Sequence, residues 1–230
     1  MPRPRVLLTT VTALLAVLAA VGCGPKKEAP ATSLPAGSEL LTKASAKMKE
    51  VTDAHVVITV DGTLPDLPMK KADGVLTRAG DAKGTVQLEQ FGLLVELSFV
   101  IVNKTAYLKG PTGGWATQPM SQLTGVFDPA AVLDPDRGVA NVLATATNGA
   151  TQGKETIYGK ETYKVSAAFA DAAMAQLLPG IGTGITGHVW LDTADSTLRK
   201  AAFVVPGTDK PATVTITVDQ INSGATISAP

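Results

Sequence analysis

A strand-length apolar run at residues 91–102, FGLLVELSFVIV, limits the fold of this chain more than any other feature. It is too short to cross a bilayer, which takes about 20 apolar residues in a helix. With the period of two that a strand imposes, Leu93, Val95, Leu97, Phe99 and Ile101 share one face. The other face mixes Leu94, Glu96, Ser98, Val100 and Val102. Flanking segments repeat the alternation, with Val86 and Leu88 against Gln87 and Glu89, then Ala106 and Leu108 against Tyr107 and Lys109. The pattern predicts an antiparallel meander, apolar on one side. That side is expected to be partly core and partly the wall of a cavity for acyl chains.

Composition narrows the partners. Lys+Arg 20 balance Asp+Glu 20, which leaves no basic surface for a nucleic acid to neutralise. Hydrophobic residues make up 45% and aromatics only 4%, so the interior is built from smooth aliphatic side chains with few polar atoms to orient a ligand. Such a lining suits hydrocarbon chains, and it equally suits an ordinary alanine-rich core. His55, His188 and a single cysteine provide no metal cluster, cofactor site or nucleophile with a base. Asp128 and Asp134 precede prolines as helix caps, and no acid/base pair stands out. No enzyme is expected.

The N-terminus reads as an export signal. Arg3 and Arg5 precede an apolar stretch at 6–21, then Gly22, Cys23 and a polar segment. The placement of Cys23 resembles the lipobox of bacterial lipoproteins, with Ala20 where Leu is commoner. That resemblance implies cleavage before Cys23, a diacylglyceryl group on its sulfur and a lipid-anchored position at the outer face of the cytoplasmic membrane. Two or more acyl chains anchor stably, since each buried methylene contributes about 0.8 kcal/mol. Residues 1–22 are thus expected to be a lipoprotein signal peptide, the lesser alternatives being a retained anchor helix and a secreted protein with a free Cys23 thiol. Residues 23–37 are the acylated cysteine with a Pro-, Ala- and Ser-containing tether, and 38–230 form a single domain.

Within that domain Ser38 is expected to cap a helix with Leu41, Ala44, Met48 and Val51 on one face. Strands follow at 54–62, 75–79, 84–90, through the 91–102 run, at 105–109 and at 115–118, with Gly113 and Gly114 at a reversal. In 127–146, FDPAAVLDPDRGVANVLATA, each Asp-Pro pair is expected to begin a short helix. Further strands are expected at 151–158, 161–169, 188–192, 198–205 and 212–221, with a helix at 171–178. Gly182, Gly184 and Gly187 spell GxGxxG, but the segment leads from helix to strand, the reverse of a nucleotide-binding context, and reads as a flexible loop.

The paired Asp-Pro segment, with AHVVITVDG before it and GKETIYGKETYKV and GHVWLD after it, resembles the mycobacterial LppX, LprA, LprF and LprG lipoproteins, the LprG members most closely. The resemblance implies an α+β fold: a strongly curved antiparallel sheet of about 10–11 strands with helices on its concave face, a half-barrel akin to the LolA and LolB carriers. It further implies an apolar cavity for triacylated glycolipids, of the phosphatidylinositol mannoside, lipomannan or lipoarabinomannan type, or for triacylglycerol, and a major-facilitator lipid exporter as partner. Candidate lining residues are Val57, Val86, Leu88, Leu93, Val95, Leu97, Phe99, Val132, Leu133, Val142, Leu143, Met174 and Leu178. The competing reading is a structural or accessory lipoprotein whose core is filled.

Overall fold

The computed structural model describes residues 33–64, 68–123, 128–207 and 210–230. The signal segment, Cys23 and most of the tether lie outside the described residues. From Leu34 to Pro230 the chain forms one compact unit whose core runs from Leu40 to Val218. All of the hydrophobic cluster is therefore carried by this unit.

Among the described residues eleven strands make one antiparallel sheet: β1 (Asp53–Asp61), β2 (Met69–Thr77), β3 (Ala82–Gln90), β4 (Leu93–Val102), β5 (Thr105–Lys109), β6 (Ala116–Pro119), β7 (Thr147–Ile157), β8 (Lys160–Ala168), β9 (Thr186–Asp192), β10 (Leu198–Val205) and β11 (Ala212–Asp219). Their order is β6-β5-β4-β3-β2-β1-β11-β10-β9-β8-β7, so β1 pairs with β11 and two meanders join into a curved, unclosed sheet. The alternation that marks strands in the sequence sorts the faces. On β1, Ala54, Val56, Ile58 and Val60 are buried, and they register against Val214, Ile216 and Val218 of β11 and against Ala72, Gly74 and Leu76 of β2.

Four α-helices of the described residues fill part of the inner side: α1 (Gly37–Met48), α2 (Pro129–Val132), α3 (Val139–Ala144) and α4 (Asp171–Leu177). α1 packs on β7, β8 and α3, α4 packs on α3, and α2 bridges α4 and β2. Their apolar residues Leu41, Met48, Val142, Leu143, Met174 and Leu177 are buried against the sheet. Arg78, in the β2–β3 turn, donates to the carbonyls of Lys49 and Val51 and so binds the C-terminal end of α1, where helix carbonyls lack internal partners.

Several expected boundaries move. α1 begins at Gly37, with Ala36 rather than Ser38 at its cap and no side-chain cap bond. Gly37 is packed so closely on Gly149 and Ala150 that a Cβ would clash, and this contact fixes the helix start. Asp128 does cap α2, accepting from the Ala130 amide at 3.0 Å. Asp134 instead closes a turn, accepting from the amides of Asp136 and Arg137 and pairing with the Arg137 guanidinium, so α3 begins only at Val139. β2 starts at Met69 rather than 75, since the stretch Lys71–Asp73–Gly74 is held in the ladder by β1 and β3. Phe91 and Gly92 leave the strand: with φ of 53° and 76° they form the two-residue turn of the β3–β4 hairpin.

Candidate functional site

Register builds the site. Val86 pairs with Ala72 on one side and Leu97 on the other, Leu88 with Val95, Gly84 with Phe99, and Phe99 with Leu108. Directly paired residues in a ladder point to the same side. Val86, Leu88, Leu93, Val95, Leu97 and Phe99 therefore share the inner face, the face on which Val56 and Ile58 are buried. The face is graded. Ala82 and Ile101 are buried, Val86, Leu88, Val95, Leu97 and Phe99 are half-buried, and Leu93 is 69% exposed. The reason is coverage: the helices span the sheet from β7 to β2, and none packs comparably on β3–β6. Along β4 the six steps from Leu93 to Phe99 rise about 20 Å. The result is an apolar strip open on one side.

The remaining predicted positions divide in two. Val132, Leu133, Val142, Leu143, Met174 and Leu178 are at most 4% exposed and belong to the packed core beneath the helices. Val57 is not brought to the inner face. It registers with Asp73 and Thr217 on the outer face beside His55, because the period of two puts it opposite Val56 and Ile58. Sequence reasoning missed Ala72 and the glycine pair, and it put Leu108 on the apolar face without counting it among the lining residues. Gly74 and Gly84 lie opposite each other, and a Cβ on Gly84 would lie 2.1 Å from the Asp73 carbonyl oxygen. Isolated glycines inside a strand pattern mark such close approaches and were a usable signal.

Little space is enclosed where the strip meets the core. A pocket of about 20 Å³, lined by Val56, Ile58, Leu76, Ala82, Phe99 and Pro129, lies where the strip meets the core. That is room for about one water, whereas ligand pockets run to roughly 300–1,000 Å³. The open strip, rather than this pocket, offers surface to a long chain. The GxGxxG segment is anchored on both sides: Ile181 and Ile185 are buried, and the Gly184 amide donates to Asp171 at 2.8 Å.

Polar clusters occupy other places. On the outer face His55 lies between Asp219, with Nδ1 at 2.7 Å, and Asp73, with Nε2 at 3.0 Å. Partial burial opposes a charge on the imidazole, but bonds to the two carboxylates outweigh it and raise its pKa. Trp190 donates to Glu155 and lies under Lys164 and Lys200. Asp53, buried, accepts from the amides of Ser223 and Gly224 and from the Ser223 hydroxyl. These bonds overcome its desolvation and lower its pKa while fastening the C-terminal segment to β1. Among the described residues no group of three or more His, Cys, Asp or Glu is arranged to hold a metal.

Known proteins share this architecture. The family described as LppX_LprAFG lipoprotein matches residues 36–227. The lipoarabinomannan carrier protein LprG of Mycolicibacterium smegmatis is 32% identical over 96% of this chain and 96% of its own length. LprG of Mycobacterium tuberculosis is 31% identical over 87% and 86%. The crystal structure of LprF from Mycobacterium bovis superposes with a TM-score of 0.73 at 26% identity, covering 84% of this chain and 96% of that one. The fold of Mycobacterium tuberculosis LppX also matches, with a TM-score of 0.63 at 20% identity over 85% and 100%.

Proposed function

This chain belongs to the LppX_LprAFG lipoprotein family, and from that premise we propose that it is a cell-envelope lipid carrier. Its inner strip holds the acyl chains of triacylated glycolipids or triacylglycerol. The protein takes them from a major-facilitator exporter in the inner membrane towards the outer envelope, and Cys23 anchors it at the outer face of the cytoplasmic membrane. One observation carries the reading: Val86, Leu88, Leu93, Val95, Leu97 and Phe99 form a continuous apolar face that the helices of the described residues cover only in part. Uncovered aliphatic surface of that extent costs solubility unless something apolar covers it. The strip carries no charge, so chains are held by area and the headgroup contributes little there. The carrier name of the LprG relatives supports the same reading. No residue is assigned a catalytic role.

The small internal pocket favours a second reading, an accessory lipoprotein with a filled core. One experiment separates the two. Purified unlipidated protein is extracted with organic solvent and the extract weighed by mass spectrometry, before and after incubation with triacylated glycolipid. A carrier yields stoichiometric acyl lipid. An extract that stays empty after incubation rejects the proposal.

A further inference from the structure

Antiparallel register fixes which connections share an end of the sheet. The β1–β2, β3–β4, β5–β6 and β10–β11 connections, together with the entry to β7 and the α4 loop between β8 and β9, lie on one rim. The β2–β3, β4–β5, β7–β8 and β9–β10 turns lie on the other. The exposed large apolar residues divide unequally between them. Among the described residues Leu34, Phe91, Leu93, Leu94, Trp115 and Val204 belong to the first rim, and Tyr158 alone belongs to the second, where Arg78, Asn103, Lys104 and Asp195 lie.

The β3–β4 hairpin concentrates this asymmetry. Phe91 is fully exposed at its tip, Leu93 faces inward and Leu94 outward at 65% exposure, so the tip is apolar on both faces. A sheet edge in water gains nothing from that arrangement. Phe91 also takes a left-handed conformation, φ 53°, which a bulky residue rarely adopts and which Asn would accept more easily. Polar pairs return just below: Lys70 with Glu89 at 2.9 Å, and Gln87 donating to Glu96 at 3.0 Å. From Glu89 to Phe91 the strand rises about 7 Å. Elements lying in a bilayer interface enter by about 5–10 Å.

The chain also enters the domain on this rim. Pro35 accepts a bond from Thr151, and Gly37 touches Gly149, both beside the start of β7. A coil of eleven residues, the sequence distance from Cys23 to Leu34, would span on the order of 20 Å, so a lipid anchor on Cys23 would hold this rim, rather than the other, nearest the bilayer. The open strip runs up β4 to Leu93, directly beneath the tip.

We propose that this rim docks on a lipid leaflet, with Phe91, Leu93 and Leu94 entering the interface, and that the inner strip opens onto the leaflet there. The inference rests on the carrier reading for the strip's role but not for the docking itself. It is tested with Phe91→Trp in the lipidated mature protein on phosphatidylcholine vesicles with brominated acyl chains, where docking predicts quenching of the added tryptophan beyond that of Trp115 and Trp190. It is tested again with Phe91→Asn in the unlipidated mature chain, whose domain carries its complete core. Losing the aromatic should lower partitioning onto plain phosphatidylcholine vesicles roughly ten- to hundredfold, by the area a Phe buries. The melting temperature should meanwhile rise, because Asn-Gly suits this turn. A tip that serves only folding would give the opposite pair of results. An unquenched tryptophan with unchanged partitioning overturns the proposal. Quenching confined to vesicles that carry native membrane proteins also overturns it, and assigns the rim to a protein partner. Quenching in a protein that loads no glycolipid rejects the carrier reading and leaves the docking intact.

Discussion

Substituting Val86 with Trp tests whether the inner strip is a binding surface or unfinished core. Val86 lies between Ala72 and Leu97 and is half-buried. The small Ala72 and the open side leave space for an indole to lie over the strip rather than force its neighbours apart. Overpacking a closed core costs typically 1–3 kcal/mol, and here the cost should stay below about 1 kcal/mol. For a domain of this size that lowers the melting temperature by about 2–4 °C at most. Ligand binding should respond differently. A 16-carbon chain placed along the strip removes methylenes from water at about 0.8 kcal/mol each. An indole covering the middle of the strip excludes about four of them, a loss near 3 kcal/mol and more than a hundredfold in affinity. The assay measures acyl lipid recovered by extraction and the thermal midpoint for both proteins. Undiminished lipid recovery together with a midpoint lowered by about 5 °C or more would place Val86 in packed core and refute the strip as the site.

Cys23→Ala should leave the melting temperature unchanged and move the protein out of the membrane fraction, since the whole core lies downstream of Leu34; retention in washed membranes would refute the lipobox reading. Gly84→Ala should cost about 3 kcal/mol or more, because the new Cβ meets the backbone of Asp73 and Gly74 in neighbouring β2, while Gly114→Ala, with open space around it, should change nothing in the same denaturant titration. His55 has its pKa raised above the ordinary 6.5 by Asp73 and Asp219, so its stabilising contribution is complete below about pH 6.5 and is lost as pH rises through the folded value. His55→Gln should flatten that part of the stability profile, and an unchanged slope in the two proteins would reject the assignment.

Much of the strand content was legible in the sequence because alternation is a local property. The inner set Leu93, Val95, Leu97, Phe99 and Ile101 follows from side-chain order alone, as do Val214, Ile216 and Val218 of β11. The Asp128 cap needs only the amide two residues on. Features that depend on distant partners were misplaced. Phe91 reads as strand by hydrophobicity, yet the pairing of Gln90 with Leu93 leaves it no place except the turn. Asp134 reads as a cap, but Gly138 is packed against the carbonyls of Ala131, Val132 and Asp134, and the helix waits until Val139.

The same division separates what each level decided about the function. Composition and order by themselves determined an uncharged aliphatic sheet face and a lipobox-like Cys23, since these depend on residue type and spacing. Only the tertiary structure decided which of those aliphatic residues remain accessible. Leu143 and Leu97 are equally apolar, but one is buried where α3 packs into the core and the other stands on a strand that the helices of the described residues cover little. Burial is set by how far the α1-α3-α4-α2 layer extends across the sheet, a packing in which Ser45 of α1 bonds Ala140 of α3, 95 residues away, and which no local pattern encodes.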